Sequence, residues 1–421
     1  MIQKRNAIRP FELVLGIIIL YLIMPIIQQL FKDFLTTYAF MLILFGSVAF
    51  VMLMHGTASL AESILALIPF VLWMILDLFT QDQQLLLWGY SSMLLLAPVL
   101  FGTLLMREAG PKVIRFLAIL LALALLITSV TTIIGTVIYP NAARDLAAIE
   151  TSDDPLLRAY NYVNLGGYEF VYTVVLLYPT AIFAYKKKRL PLVFAILAAV
   201  LVLFLTLNSG YTTALLLWIA STALFFFPRN LTKRGVLFLL VATIIVVIVF
   251  FAFFSSGLKG LAGMIDNEDI SYRLEALSGG SEGIRASEDD RITLYETSIN
   301  SFFKSPFIGN VLGTGAHNGG HSFILDFAAQ YGLIGIVLLV VMYRLIYIRF
   351  FKPFERVQGF GYILWMFLQT LILSVVNTGM WINLLCWFIP ISITAILQNK
   401  KNEDGFGKRL RETAERRVKA K

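Results

Sequence analysis

The sequence is divided into uninterrupted apolar blocks of about 20 residues, the length an α-helix needs to cross the hydrocarbon core of a bilayer. Twelve such blocks are expected to span: 11–30, 34–54, 59–79, 84–106, 112–138, 168–185, 190–207, 211–227, 235–256, 322–348, 359–377 and 379–397. Backbone amides in hydrocarbon must pair within their own segment or in a closed barrel. Continuous apolar blocks, without the ten-residue alternation of barrel strands, select helices. The expected fold is therefore all-α and polytopic, a single helical domain over 1–397 followed by a basic tail over 398–421. Composition excludes a water-soluble alternative, since 58% of the residues are hydrophobic, only 14% are charged and the mean hydropathy is +0.80. The N-terminal MIQKRNAIRP imitates a signal peptide, but no small-residue cleavage site follows it, so the first block is read as a retained helix. The lone Cys386 leaves neither a disulfide nor a cysteine-ligated metal available.

Charge sets the orientation. With a cytoplasmic N-terminus, alternation places six basic groups inside: Lys4/Arg5/Arg9, Arg107/Lys112/Arg115, Lys186 to Arg189, Arg229/Lys233/Arg234, Arg344/Arg349/Lys352/Arg356 and the tail from Lys400. They hold 26 of the 34 Lys and Arg residues, leaving Lys32, Arg144, Arg158, Lys259, Arg273, Arg285, Arg291 and Lys304 outside. The net charge of +8 is thus mainly a topology signal and an affinity for anionic inner-leaflet lipid, rather than a nucleic-acid surface.

Two external segments break the pattern of short connections. Segment 139–167 is polar, with a helix expected from Asp154 into an aromatic Asn/Tyr stretch. Segment 255–320 is about 65 residues long, far beyond an ordinary connection, and loops of that length are generally functional or disordered. It contains helix-compatible runs, a flexible SGGSEG and a Gly-rich end, GNVLGTGAHNGGHS.

Chemistry-bearing residues gather there. His317 and His321 lie four apart at its end, and a histidine at the membrane boundary stays hydrated and exchanges protons near neutrality, which suits a general base. A capping histidine or half of a metal pair has the same position, and no Cys or acid is packed beside it in sequence. Arg273, Arg285 and Arg291 carry forks that match phosphate oxygens. Nine acids share the segment, however, and surface ion pairs are the bland alternative. Among polar residues inside or beside spans, Glu169 at the outer end of the sixth block is the strongest secondary candidate. Asp326 follows His321 by five residues and does not share its helix face. P-loop, GxSxG, HExxH and CxxC motifs are absent from the sequence, which excludes the corresponding ATPase, hydrolase and zinc-peptidase readings.

The string RITLYETSINSFFKSPFIGNVLGTGAHNGGHSFILDFAAQYGLIG resembles the signature region of the O-antigen polymerase and O-antigen ligase superfamily. The matching positions are Arg291, Tyr295, Pro306 to Gly309, His321, Gly332 and Gly335, and the spacing selects His321 over His317. One departure is the hairpin LNSGYTTA, where relatives often have Ser-Arg but Ser209 is followed by Gly210 and Tyr211. The resemblance implies a GT-C-like, inverting and metal-independent glycosyltransferase without cofactor. It would polymerise polyprenyl-pyrophosphate-linked oligosaccharide repeats at the outer face of a bacterial cytoplasmic membrane. On that reading His321 is the base, and Arg291 with Arg273 and Arg285 holds the pyrophosphate, Arg273 standing in for the missing hairpin arginine. Glu169, Tyr211, His317 and Asn318 are secondary candidates. Membrane lipids, a chain-length regulator and a flippase are the implied partners, and nucleic acid is not. Ligation of finished polymer to a lipid core or protein, and transport of lipid-linked sugars, are the alternatives.

Overall fold

The computed structural model describes residues 10–34, 68–73, 75–76, 99, 102–103, 105–106, 109–140, 142, 145–146, 154–249, 260, 264, 282–311, 319–320, 322–377 and 379–398. Every regular element among the described residues is helical. In chain order these are α1 (Pro10–Ile23), α2 (Pro25–Phe34), α3 (Pro111–Ile138), α4 (Pro155–Tyr162), α5 (Tyr168–Lys186), α6 (Leu192–Ser209) and α7 (Thr212–Thr222). They continue as α8 (Lys233–Val249), α9 (Glu282–Lys304), α10 (Phe323–Ile346), α11 (Phe360–Val376) and α12 (Ile389–Leu397). A π-helical turn, Leu384–Phe388, leads into α12.

Four helical stretches are long and apolar enough to cross a membrane: α3, α5, α6 and Phe323–Phe354, which begins with α10. The pair α1–α2 makes a fifth if it is taken as one broken span. The expected spans 112–138, 168–185, 190–207 and 322–348 coincide with these helices. All of span 34–54 but Phe34 lies outside the described residues, as do most of 84–106 and much of 59–79.

The expected span 11–30 is not straight. Its two helices meet at 106°. Pro25 cannot donate to the preceding turn and pushes Met24 out of helical geometry, so the chain leaves the axis there. The polar half, PIIQQLFKDF, then packs on α4. Asn161 Nδ2 donates to Gln29 Oε1 at 3.2 Å, and Ile26 N–H donates to Asn164 Oδ1 at 3.4 Å. α4 begins where expected, because Asp154 Oδ1 accepts the Leu156 N–H at 2.7 Å and caps it.

Large apolar side chains point outward along α3 (Ile119, Leu123, Ile127, Val130, Ile134) and α6 (Val193, Leu197, Val200, Phe204). An apolar exterior of this size is a surface made for lipid. Inward, polar groups join helices. Trp365 Nε1 donates to Ser221 Oγ at 3.2 Å, Ser221 Oγ to Gln369 Oε1 at 3.0 Å, and Gln369 Nε2 to the Leu176 carbonyl at 2.7 Å, linking α5, α7 and α11. Such neutral interhelical bonds contribute about 0.6 kcal/mol each, so side-chain packing supplies most of the cohesion.

The two ends of the bundle differ in charge. Lys186 Nζ donates to the Phe225 and Phe227 carbonyls at 2.8 and 2.6 Å, and Lys233 pairs with Glu355 at 3.4 Å. At this end lie Lys186 to Arg189, Arg229, Lys233, Arg234, Lys352 and Arg356. The opposite end carries α2, α4, the start of α5, the α6–α7 hairpin and the start of α10.

Candidate functional site

α9 and the first half of α10 lie side by side and run in the same direction. At the upper level Ser298 Oγ donates to Asp326 Oδ1 at 2.6 Å. Lower down, Leu333 N–H donates to the Pro306 carbonyl at 2.7 Å, and Asn310 N–H to the Gln330 carbonyl at 2.8 Å. From Phe323 to Gly332 the descent is roughly 14 Å at helical rise, about half of a hydrocarbon core. By Gly319 the chain has returned to the upper level, where its N–H donates to Ser298 Oγ at 2.8 Å. The described part of segment 255–320 is therefore an α-helix and a turn packed on α10, with Gly319 back beside Ser298. The helix begins at Glu282, inside the string expected to be flexible.

The turn is held by a reciprocal pair of glycines. Gly332 interrupts α10 at φ 61°, ψ −151°, and a Cβ there would stand 2.5 Å from the Phe307 carbonyl carbon. Gly309 has φ 60°, and a Cβ there would stand 2.6 Å from the Ala329 carbonyl oxygen. The partner of Gly332 is thus the Pro306–Gly309 turn. Leu333 and Ile334 N–H, freed by the break, find acceptors at Pro306 and Phe307, as backbone at this depth requires.

Asp326 organises the top. Its Oδ1 accepts from Ser298 Oγ and, at 3.2 Å, from Gly320 N–H; its Oδ2 accepts from Ser322 N–H at 3.1 Å. Ser322 Oγ in turn caps α10 by accepting the Leu325 N–H at 3.2 Å. One carboxylate thus ties down the residues immediately before and after position 321 and anchors both to α9. On the other side Trp73 packs on Phe327 at 5.0 Å between centroids, and its Nε1 donates to Tyr331 at 3.1 Å.

His321, His317, Asn318 and Arg273 lie outside the described residues. Arg291 and Arg285 fall within α9. Position 291 is seven residues before Ser298, two turns away on the same stripe of the helix, the stripe that meets Asp326. Tyr295, one turn beyond Arg291, donates its hydroxyl to the Val376 carbonyl at 2.9 Å and so ties α9 to the end of α11. Glu169 is exposed in the first turn of α5, where a carboxylate is favoured by the helix dipole. Tyr211 opens α7 and packs on Tyr168 and Tyr172 at 5.3 and 5.9 Å between centroids. Ser209 is buried and donates to the Leu205 carbonyl at 2.7 Å, so its hydroxyl is committed to its own helix.

Sequence reading missed Asp326 and Ser298 as site residues, because the first was judged only by its helix face relative to His321. A carboxylate acting through backbone N–H groups has no face requirement. The signal available was Asp326 four residues after Ser322, within the first turn of an apolar helix.

The described residues define an all-helical protein with apolar helices of membrane-spanning length and a polar knot at one end of the bundle. No protein-family model matches the chain, and no curated protein matches it.

Proposed function

We propose that the protein is a membrane glycosyltransferase that polymerises polyprenyl-pyrophosphate-linked oligosaccharide repeats at the outer face of a bacterial cytoplasmic membrane. The reading takes twelve spans, with the lysine- and arginine-rich end in the cytoplasm and the Asp326 end outside. The observation that carries it is the Asp326 carboxylate, which grips the chain on both sides of position 321 and joins it to the arginine-bearing helix α9. A base needs a fixed position relative to its phosphate-binding partners, and the bonds to Gly320 and Ser322 on either side of position 321 support that reading.

In the proposed reaction His321 takes the proton of an acceptor sugar hydroxyl as that oxygen attacks the donor anomeric carbon. The new carbon–oxygen bond forms as the bond to pyrophosphate breaks, and the electron pair leaves on the phosphate oxygen. Backside attack inverts the anomeric centre. Arg291, with Arg273 and Arg285, stabilises the charge that develops on the leaving group. The buried Trp365, Ser221 and Gln369 are neutral and bonded to one another, which fits structural glue better than the charged midplane of a transport path.

His321→Ala should abolish polymer while the protein still inserts and lipid-linked single repeats accumulate. Normal chain lengths in that variant would sink the assignment. Arg291→Lys keeps the charge but loses the fork, and is expected to lower the elongation rate measured with purified protein and lipid-linked repeats.

A further inference from the structure

At one corner of the basic end an aromatic ring is held outside the bundle. Phe226, the last residue of the short helical turn Ala223–Phe226 that extends α7, is 90% exposed. The backbone on both sides of it is fixed by other helices. Lys186 Nζ, from α5, donates to the Phe225 and Phe227 carbonyls at 2.8 and 2.6 Å. Tyr362 Oη, from α11, lies 3.2 and 3.0 Å from the Phe227 and Pro228 carbonyls, and Gly361 N–H donates to the Leu231 carbonyl at 3.0 Å. α5 and α11 thus clamp the connection that follows α7 and leave the Phe226 ring outside.

Cations surround this corner, and they are of two kinds. Lys186 is committed to carbonyls, and Lys233 pairs with Glu355. Lys188, Arg189, Arg229 and Arg234 are exposed, and among the described residues none of the four meets a carboxylate. The Lys186 bonds bring the turn at the end of α5 beside the connection, and Arg229 is close enough to Lys186 for their charges to interact. Lys188 sits in that turn at φ 58°, where a closing helix usually has glycine, and the Arg189 N–H donates to the Ala184 carbonyl at 2.9 Å. The turn thus keeps a cation at a position that strains its backbone. The tail over 398–421 has the same sign, with nine Lys and Arg against four Asp and Glu.

Apolar surface begins within a turn or two of these charges. Val193 and Phe194 are exposed at the start of α6, as are Leu237 and Phe238 near the start of α8. An anionic phospholipid has the matching pattern, a phosphate for the cations and acyl chains for the bare rings. A free phosphate would use the charges and give Phe226 nothing. An acidic protein would have to reach Phe194, which lies on the spanning helix α6.

We propose that the corner formed by Phe226, Arg229, Lys188 and Arg189 binds an anionic phospholipid of the adjacent leaflet, with the phosphate among the cations and an acyl chain against Phe226. The site lies at the end of the bundle away from the Asp326 knot and does not depend on the glycosyltransferase reading.

The experiment follows the melting temperature of the purified full-length protein in a neutral maltoside detergent, titrated with dioctanoyl phosphatidylglycerol, dioctanoyl phosphatidylcholine or glycerol 1-phosphate. The parent protein is expected to show a saturable rise with phosphatidylglycerol alone. Arg229→Gln and Lys188→Gly should each shift the midpoint of that titration about fivefold to higher lipid, the worth of one cation near a charged headgroup. Phe226→Ser should shift it at least as far without changing the lipid-free melting temperature, because the ring packs on nothing in the protein. Lipid-free Lys188→Gly should melt level with the parent or higher, since glycine takes this backbone without strain; a lysine with a purely structural role would not separate the two readouts. Lys419→Gln in the tail is the charge-matched control and should titrate like the parent. No rise with phosphatidylglycerol, an equal rise with phosphatidylcholine or with glycerol 1-phosphate, or an equal shift in the tail control would each overturn the site. A parental titration in all three corner variants would overturn it as well and leave the corner to an acidic protein.

Discussion

Asp326 accepts three hydrogen bonds through two oxygens, and two of the donors are the backbone N–H groups of Gly320 and Ser322. Asp326→Asn would turn one acceptor into a donor facing another donor. Hydrogen bonds to a charged group contribute about 1.5–3 kcal/mol, so elongation is expected to fall roughly tenfold to a hundredfold. Membrane insertion, read by yield and by melting temperature, should persist, since the bundle does not depend on this carboxylate. At the opposite end Tyr347 donates to Glu355 Oε1 at 2.7 Å and Lys233 approaches at 3.4 Å. The tyrosine hydroxyl first, and then the lysine, hold the Glu355 carboxyl below the usual carboxylate range. A depressed acid stabilises the fold above its unfolded-state pKa and loses that contribution as pH falls through the folded value. Thermal melts should therefore show an acid-side loss, below about pH 4.3, that is smaller in Glu355→Gln. Equal acid sensitivity in both proteins would refute the coupling.

At the scale of elements, the join between α9 and α10 depends on backbone meeting backbone. Gly332 and Gly309 each have a positive φ and each leave no room for a Cβ. For an L-residue such positive-φ backbone alone costs about 1–3 kcal/mol, before any contact is displaced. Gly332→Ala and Gly309→Ala are each expected to lower the melting temperature and to reduce elongation. The double variant should fall short of the sum, because both changes disrupt one contact. The kink in α1–α2 is of a different kind, since Pro25 is visible in sequence and the polar face of α2 needs a partner, which α4 provides through Asn161.

For the whole molecule, the separation of charge between the two ends predicts sidedness. Cys386 is fully buried, so a membrane-impermeant maleimide has no background to react with there. Arg158 on α4 and Arg189 at the basic end are both exposed. Arg158→Cys should label in intact spheroplasts, and Arg189→Cys only after permeabilisation. The reverse pattern would invert the proposed topology and remove the proposed outer-face site with it.

How much was legible follows from the range of each interaction. Helix class, the positions of α3, α5, α6 and α10, the cap at Asp154 and the segregation of lysine and arginine follow from local hydropathy, capping and charge, all of which operate within a turn or a span. Gly309 and Gly332 were visible as glycines, and only their mutual approach across 23 residues of chain shows why each position excludes a side chain. The 106° break, the descent of α9 beside α10 and the Asp326 knot were decided by tertiary structure. Polar backbone at membrane depth must find acceptors wherever packing offers them, and the acceptors for Leu333 and Ile334, Pro306 and Phe307, lie on a segment too polar to read as membrane-embedded.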